Sequence, residues 1–110
     1  MTDDLTLDLY PLDVPEHEPE ASISERFEAF HAANGHVLTA IARLFDDVRA
    51  HGGDRFSVKA AFEILRWQGM RTTGQPYVLN NDFTAPYGRL LADEYPHLAP
   101  MLRLRERRAA

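Results

Sequence analysis

The side chains able to do acid–base or metal chemistry are few and scattered. The five histidines are His17, His31, His36, His51 and His97. No two stand at the i, i+4 spacing that sets two imidazoles on one helix face for a metal. His31 and His36 flank Asn34-Gly35 and can approach across that break, but no carboxylate has matching spacing to complete a ligand set. Asp46 and Asp47 are adjacent, and adjacent helical residues do not share a face, so they read as a solvated acidic rim. There is no GxSxG, P-loop or GxGxxG motif. Gly52-Gly53-Asp54 lacks the Lys-Ser or Lys-Thr of a phosphate cradle and reads as a helix stop. The sequence therefore predicts no catalytic residue, no metal site and no cofactor, and the expectation is a protein that is not an enzyme.

Binding chemistry has more to work with. Arg55, Lys59, Arg66, Arg71 and Arg89 are spread through residues 55–89, together with Gln75, Asn80, Asn81 and Thr84. Amide and hydroxyl groups near a helix N-terminus can hold a phosphate, and the helix dipole favours an anion there. A DNA-binding site is therefore expected at Arg55, Lys59, Arg71, Asn80, Asn81, Thr84 and Arg89, with double-stranded DNA as the partner. The connection over residues 69–82 is fourteen residues long, against the three or four of a tight helix-turn-helix. A looser winged variant, with a strand in the connection, fits better.

Charge has to be read along the chain. Seventeen acids against twelve bases in 110 residues give a net charge of −5, which by itself disfavours nucleic acid. Residues 1–53 hold 11 acids and 3 bases, whereas 54–110 hold 6 acids and 9 bases. An acidic N-terminal half thus precedes a mildly basic one. Cysteine is absent, so there is no disulfide framework and no thiolate zinc site, which suits a reducing, cytoplasmic location. No apolar run reaches membrane-spanning length, and the acidic first twenty residues lack the basic n-region of a signal peptide.

The elements that would position these residues follow from apolar spacing. Residues 1–21 carry seven acids, no Lys or Arg, and Pro11, Pro15 and Pro19, so an acidic flexible segment is expected. Leu5, Leu7 and Leu9 alternate with polar residues, a pattern shared by an edge strand and by a tail that orders on a partner. A single helical domain is expected over 22–104, followed by a basic tail over 105–110. Ser22 or Ser24 caps a first helix with Ile23, Phe27 and Phe30 on one face. Asn34-Gly35 breaks it, since both tolerate positive φ. A second helix runs from about His36 to His51, with Val37, Ile41, Leu44, Phe45 and Val48 inward. A third, capped by Ser57, runs from Val58 to about Gln68. Its apolar stripe is wide, so it is expected to be central, with Trp67 as a packing anchor. Tyr77-Val78-Leu79 favours a short strand. A fourth helix from about Phe83 to Tyr95 presents Phe83, Tyr87, Leu90 and Leu91, and tolerates Pro86 only in its first turn. A last turn carries Leu98, Met101 and Leu102.

Three stretches, ERFEAFHAANGHV (25–37), FSVKAAFEILRWQ (56–68) and YVLNNDFTAPYGRLL (77–91), resemble a family of small uncharacterised phage, prophage and bacterial proteins. That family reads FEEFHxxN, IKxLFEVLRW and KLNNNYTxxYARL. The resemblance spans about residues 24–104 and brings no established activity with it. This chain has Asn80-Asn81-Asp82-Phe83 in place of NNNY, and Pro86 where the pattern is basic or polar. Both changes lower the positive charge near the fourth helix.

The expectation is a mainly α fold: a small helical bundle, winged-helix-like, with at most a short β-hairpin near 77–80. The leading function is a small non-enzymatic DNA-binding or regulatory protein of phage type. The alternative is a protein-interaction module, docking through the acidic segment or an apolar helix face, with Trp67 as a candidate hot spot.

Overall fold

The computed structural model describes residues 7–102. It is mainly helical, with four α-helices: α1 (Ile23–Ala33), α2 (Gly35–Ala50), α3 (Val58–Thr73) and α4 (Thr84–Glu94). Short 3-10 turns, Asn81–Phe83 and Pro96–Met101, precede and follow α4. No strand forms among the described residues. Residues 76–80 run extended without a ladder partner, so the hairpin expected near 77–80 is not formed. The alternation that begins at Leu5 produces buried Leu7 and Leu9 but no strand. Leu5 itself lies outside the described residues, as do the bases of the C-terminal tail, Arg103, Arg105, Arg107 and Arg108.

α1 and α3 start at the serines the sequence offers as caps. Ser22 accepts from the Glu25 amide while the Glu25 carboxylate accepts from the Ser22 amide, a reciprocal capping box. Ser57 accepts from the Ala60 amide at the head of α3. Pro86 falls in the first turn of α4 as expected. The break between α1 and α2 has a different origin from the one anticipated. Neither Asn34 nor Gly35 takes a positive φ; among the described residues only Gly52 (φ 91°) and Gly74 (φ 75°) do. Asn34 is instead buried, 1% exposed, and its side-chain amide donates to the Phe30 carbonyl at the end of α1. Gly52 ends α2 as the sequence predicts, and Gly74 ends α3, one and a half turns beyond the expected stop at Gln68.

The central helix is α2 rather than α3. Seven of its residues are buried, among them Leu38, Ala40 and Ala42 off the large-residue stripe. The two alanines let neighbours approach closely, so α2 packs against α1, α3 and the closing 3-10 turn. α3 buries a narrower stripe, Val58, Ala61, Phe62, Leu65 and Gly69, against α2 and α4. Phe27, Phe30, Phe62, Phe83 and Tyr87 form an aromatic cluster between α1, α3 and α4. Phe27 meets Tyr87 edge-on at 4.8 Å between ring centres, and Phe83 at 5.7 Å.

Within the segment over 1–21 expected to be flexible, residues 7–13 pack onto the helical domain. Leu7 and Leu9 are buried in the core, and Leu12 packs against it. The Asn34 side chain accepts from the Asp13 amide at 2.8 Å and donates to the Asp13 carbonyl at 2.7 Å. That pair of bonds reproduces a sheet-like rung between one side chain and one backbone residue. Apolar burial and satisfied backbone groups together outweigh the ordering entropy that composition alone suggested would win.

Candidate functional site

The seven candidate DNA contacts are spread over the approach to α3, α3 itself, the turn before α4 and α4. Lys59 and Arg71 both lie on the outward face of α3 and are exposed. Twelve residues of helix put them about 18 Å apart, with Glu63 and Trp67 between them on the same face. Arg55 is exposed just before the Ser57 cap. Arg89 is exposed on α4, where its i±4 neighbours are Ala85 and Asp93.

The polar residues before α4 are engaged in building the turn. The Asn80 side-chain oxygen accepts from the Asp82 amide at 2.8 Å, and the Thr84 hydroxyl donates to the Asn81 carbonyl at 2.9 Å. Arg66 donates to the Asn81 side-chain oxygen and to the Leu79 carbonyl, both at 2.7 Å, and pairs with Glu63 at 3.1 Å. These bonds fold residues 79–84 onto α3. Asp82 already brings a carboxylate to the head of α4, where a phosphate would have to sit.

A second polar cluster lies where the N-terminal segment crosses the connection. The Tyr77 hydroxyl donates to the Tyr10 carbonyl at 2.9 Å and lies 3.0 Å from His36 Nε2. Because the single hydroxyl proton goes to Tyr10, His36 Nε2 is the donor to Tyr77, which assigns its neutral tautomer. Burial lowers the His36 pKa, and burial pushes Tyr77 up to about 12. Both groups are therefore neutral near pH 7 and act as structural links. Tyr87 is fully buried, and its hydroxyl has no hydrogen-bond partner; burial raises its pKa as well. His31 stacks on Phe27 and meets Tyr87 edge-on, so it does not join His36 across the helix break.

The carboxylates at the rim pair with histidines in the open. Asp46 lies 2.9 Å from His97 Nε2 and Asp47 lies 3.5 Å from His51 Nδ1. No group of three metal-ligating side chains gathers among the described residues.

The chain matches no family model, no curated protein and no solved structure.

What stands out on the surface is Trp67, 57% exposed on α3 rather than packed inside. Met70 is 43% exposed one turn on, and the Arg71 guanidinium lies 5.7 Å above the indole ring. The i, i+3, i+4 spacing of Trp67, Met70 and Arg71 makes one continuous face. The buried stripe had absorbed Phe62 and Leu65, and Trp67 falls about a third of a turn outside it. Arg26 went unremarked in the sequence, although it is the one base in an otherwise acidic α1. It sits four residues before Phe30, and that spacing places both on one side of the helix.

Proposed function

We propose that this is a small non-enzymatic binding protein that docks on a protein partner through the outward face of α3, with Trp67 as the anchor. The observation that carries it is the exposed Trp67–Met70 pair with Arg71 laid over the indole. Tryptophan and arginine are the residues most enriched in binding hot spots, and Met adapts to an irregular partner surface. An exposed tryptophan with no internal role is a cost to solubility that a partner removes. All three residues sit on one continuous helix, so little backbone ordering is required on docking.

The test compares the full chain with Trp67→Ala in capture from host lysate, with thermal unfolding measured on both. Trp67 contributes little to the core, so the unfolding midpoint should hold while the captured partner drops by about tenfold or more. An identical captured set from both chains overturns the proposal. Sedimentation of the purified protein identifies a second copy as the partner if the Ala variant alone becomes monomeric.

DNA binding by a winged-helix-like arrangement of α3 and α4 is the second reading. Arg55 and Lys59 favour it, four residues apart in the sequence on either side of the Ser57 cap, with no acid in the first turn of α3. Acids outnumber bases by fourteen to eight across residues 7–102, and Asn80, Asn81 and Thr84 have internal partners, so it ranks below protein docking. Duplex affinity against salt decides it. Real phosphate contacts make log K fall with log salt by roughly 0.9 per phosphate neutralised, and Arg55→Ala should flatten that slope. No binding at low salt removes this reading.

A further inference from the structure

A pocket of about 320 Å³ opens between the N-terminal segment, α1 and the 76–83 connection, on a different part of the molecule from Trp67. Its walls are mostly apolar: Val14 and Pro15 from the N-terminal segment, Phe30 from α1, and Val78 and Phe83 from the connection. Three polar residues line it, Arg26, Asn80 and His17. None of the lining residues is a carboxylate. Among the described residues the Arg26 side chain has no ion pair and no hydrogen-bond partner; its Nε is closed off from solvent, so the terminal nitrogens of this half-buried guanidinium are the donors it offers to the pocket. A guanidinium edge beside apolar walls pairs preferentially with an anion.

Asn80 points to the same ligand: it spends its side-chain oxygen on the Asp82 amide, which leaves its NH₂ as a donor. His17 donates Nδ1–H to the Glu18 carbonyl, so Nε2 of the neutral ring is an acceptor and takes no part in holding an acid group. The pocket thus offers one permanent cation and an amide donor, set in hydrophobic walls. Its volume is at the small end of ligand cavities, which suits one ring or a short chain.

We propose that this pocket binds a small amphipathic carboxylate, with the acid group on Arg26 and Asn80 and the apolar body against Phe30, Phe83 and Val78. Phenylacetate and hexanoate are suitable probes, and phenylacetamide is the uncharged control. Proton–nitrogen correlation spectra of the full chain should show saturable shifts at Ala29, Phe30 and Val78 and at the Arg26 Nε–H. The acid should bind about tenfold more tightly than the amide, the value of one charge-assisted hydrogen bond. Arg26→Gln should bring the acid down to the level of the amide. Ala29→Leu fills the cavity from an exposed position on α1 and should abolish binding of both without moving the unfolding midpoint. Equal affinity for acid and amide overturns the proposal. So do shifts that cluster elsewhere, retention of binding by the Ala29→Leu variant, or no saturable shift with either acid.

Discussion

Residues 7–15 and 74–80 are two proline-containing stretches with neither helix nor strand, and they are held by opposite devices. The N-terminal stretch is held from inside: three leucines enter or cover the core, and the buried Asn34 amide reaches up to both backbone groups of Asp13. The connection is held from α3: the Tyr77 ring lies flat on Gly69, and Arg66 reaches across to Leu79 and Asn81. The two stretches meet at the Tyr77–Tyr10 hydrogen bond. The difference shows that composition does not decide whether a segment is a tail. An acidic, proline-rich run is seated when its few apolar residues are spaced to enter the core and one buried partner satisfies its backbone.

The comparison breaks most severely at Gly69. A Cβ there would stand 2.2–2.5 Å from three atoms of the Tyr77 ring. Alanine gains about 1 kcal/mol of helix propensity over glycine, but overpacking of this kind costs about 1–3 kcal/mol and sometimes more. The ring cannot retreat without releasing Tyr10 and His36. Gly69→Ala should therefore lose about 2 kcal/mol in denaturant unfolding. A gain in stability would show that the ring is not wedged on the helix.

Asn34→Ala attacks the other stretch. It leaves both groups of Asp13 without their partner, while the Phe30 carbonyl keeps the backbone amide of residue 34, a loss of about 1–3 kcal/mol, moderated because Asp13 can turn to water. The loss should be local first. Hydrogen exchange at the Asp13 amide should accelerate in this variant while the α2 amides keep their protection. Uniform acceleration would mean that the N-terminal stretch unfolds only with the whole domain.

Much of the fold was legible in the sequence, because caps, glycine stops and proline positions act locally. Ser22, Ser57, Gly52 and Pro86 each do what their positions imply. The centrality of α2 was not legible, since Ala40 and Ala42 bury little area themselves and matter only for how closely neighbours approach. Trp67 was misplaced because a wide apolar stripe does not reveal where burial stops; that depends on how α2 and α4 straddle α3. Asn34 reads as a turn residue, and only the fold shows that Asp13, 21 residues earlier, comes to lie against it. Of the candidate site, the individual cations were visible but their separation was not. Asn80, Asn81 and Thr84 carry side chains equally suited to grip a phosphate or to close a turn.

Arg66 distinguishes a point charge from a fork. Its guanidinium joins three acceptors, Glu63, Leu79 and Asn81, from a half-buried position. Arg66→Lys keeps the charge but cannot span all three, so the connection should loosen at a cost of about 1 kcal/mol. Exchange should rise at the Asp82 and Phe83 amides, which are bonded to Asn80, and leave residues 7–15 unaffected. If exchange rises equally in both stretches, they are one unit and the contrast between them fails.

The smallest effect concerns His36, which links the two stretches through Tyr77. Its folded-state pKa lies below the ordinary 6.5 because burial disfavours the charged ring. Between that lowered value and 6.5 the unfolded chain binds more protons than the folded one, so stability rises with pH in this window. The contribution is complete above about pH 6.5 and is lost as the pH falls through 6.5 toward the lowered folded value. His36→Gln retains a side-chain donor for the Tyr77 oxygen but does not titrate. The wild-type unfolding midpoint should therefore fall more than that of His36→Gln between about pH 7 and pH 5. The exposed pairs His51–Asp47 and His97–Asp46 are common to both chains and cancel in the difference. Parallel pH profiles would show that the ring stays hydrated enough to charge freely, and that the junction of the two stretches rests on the Tyr77–Tyr10 bond alone.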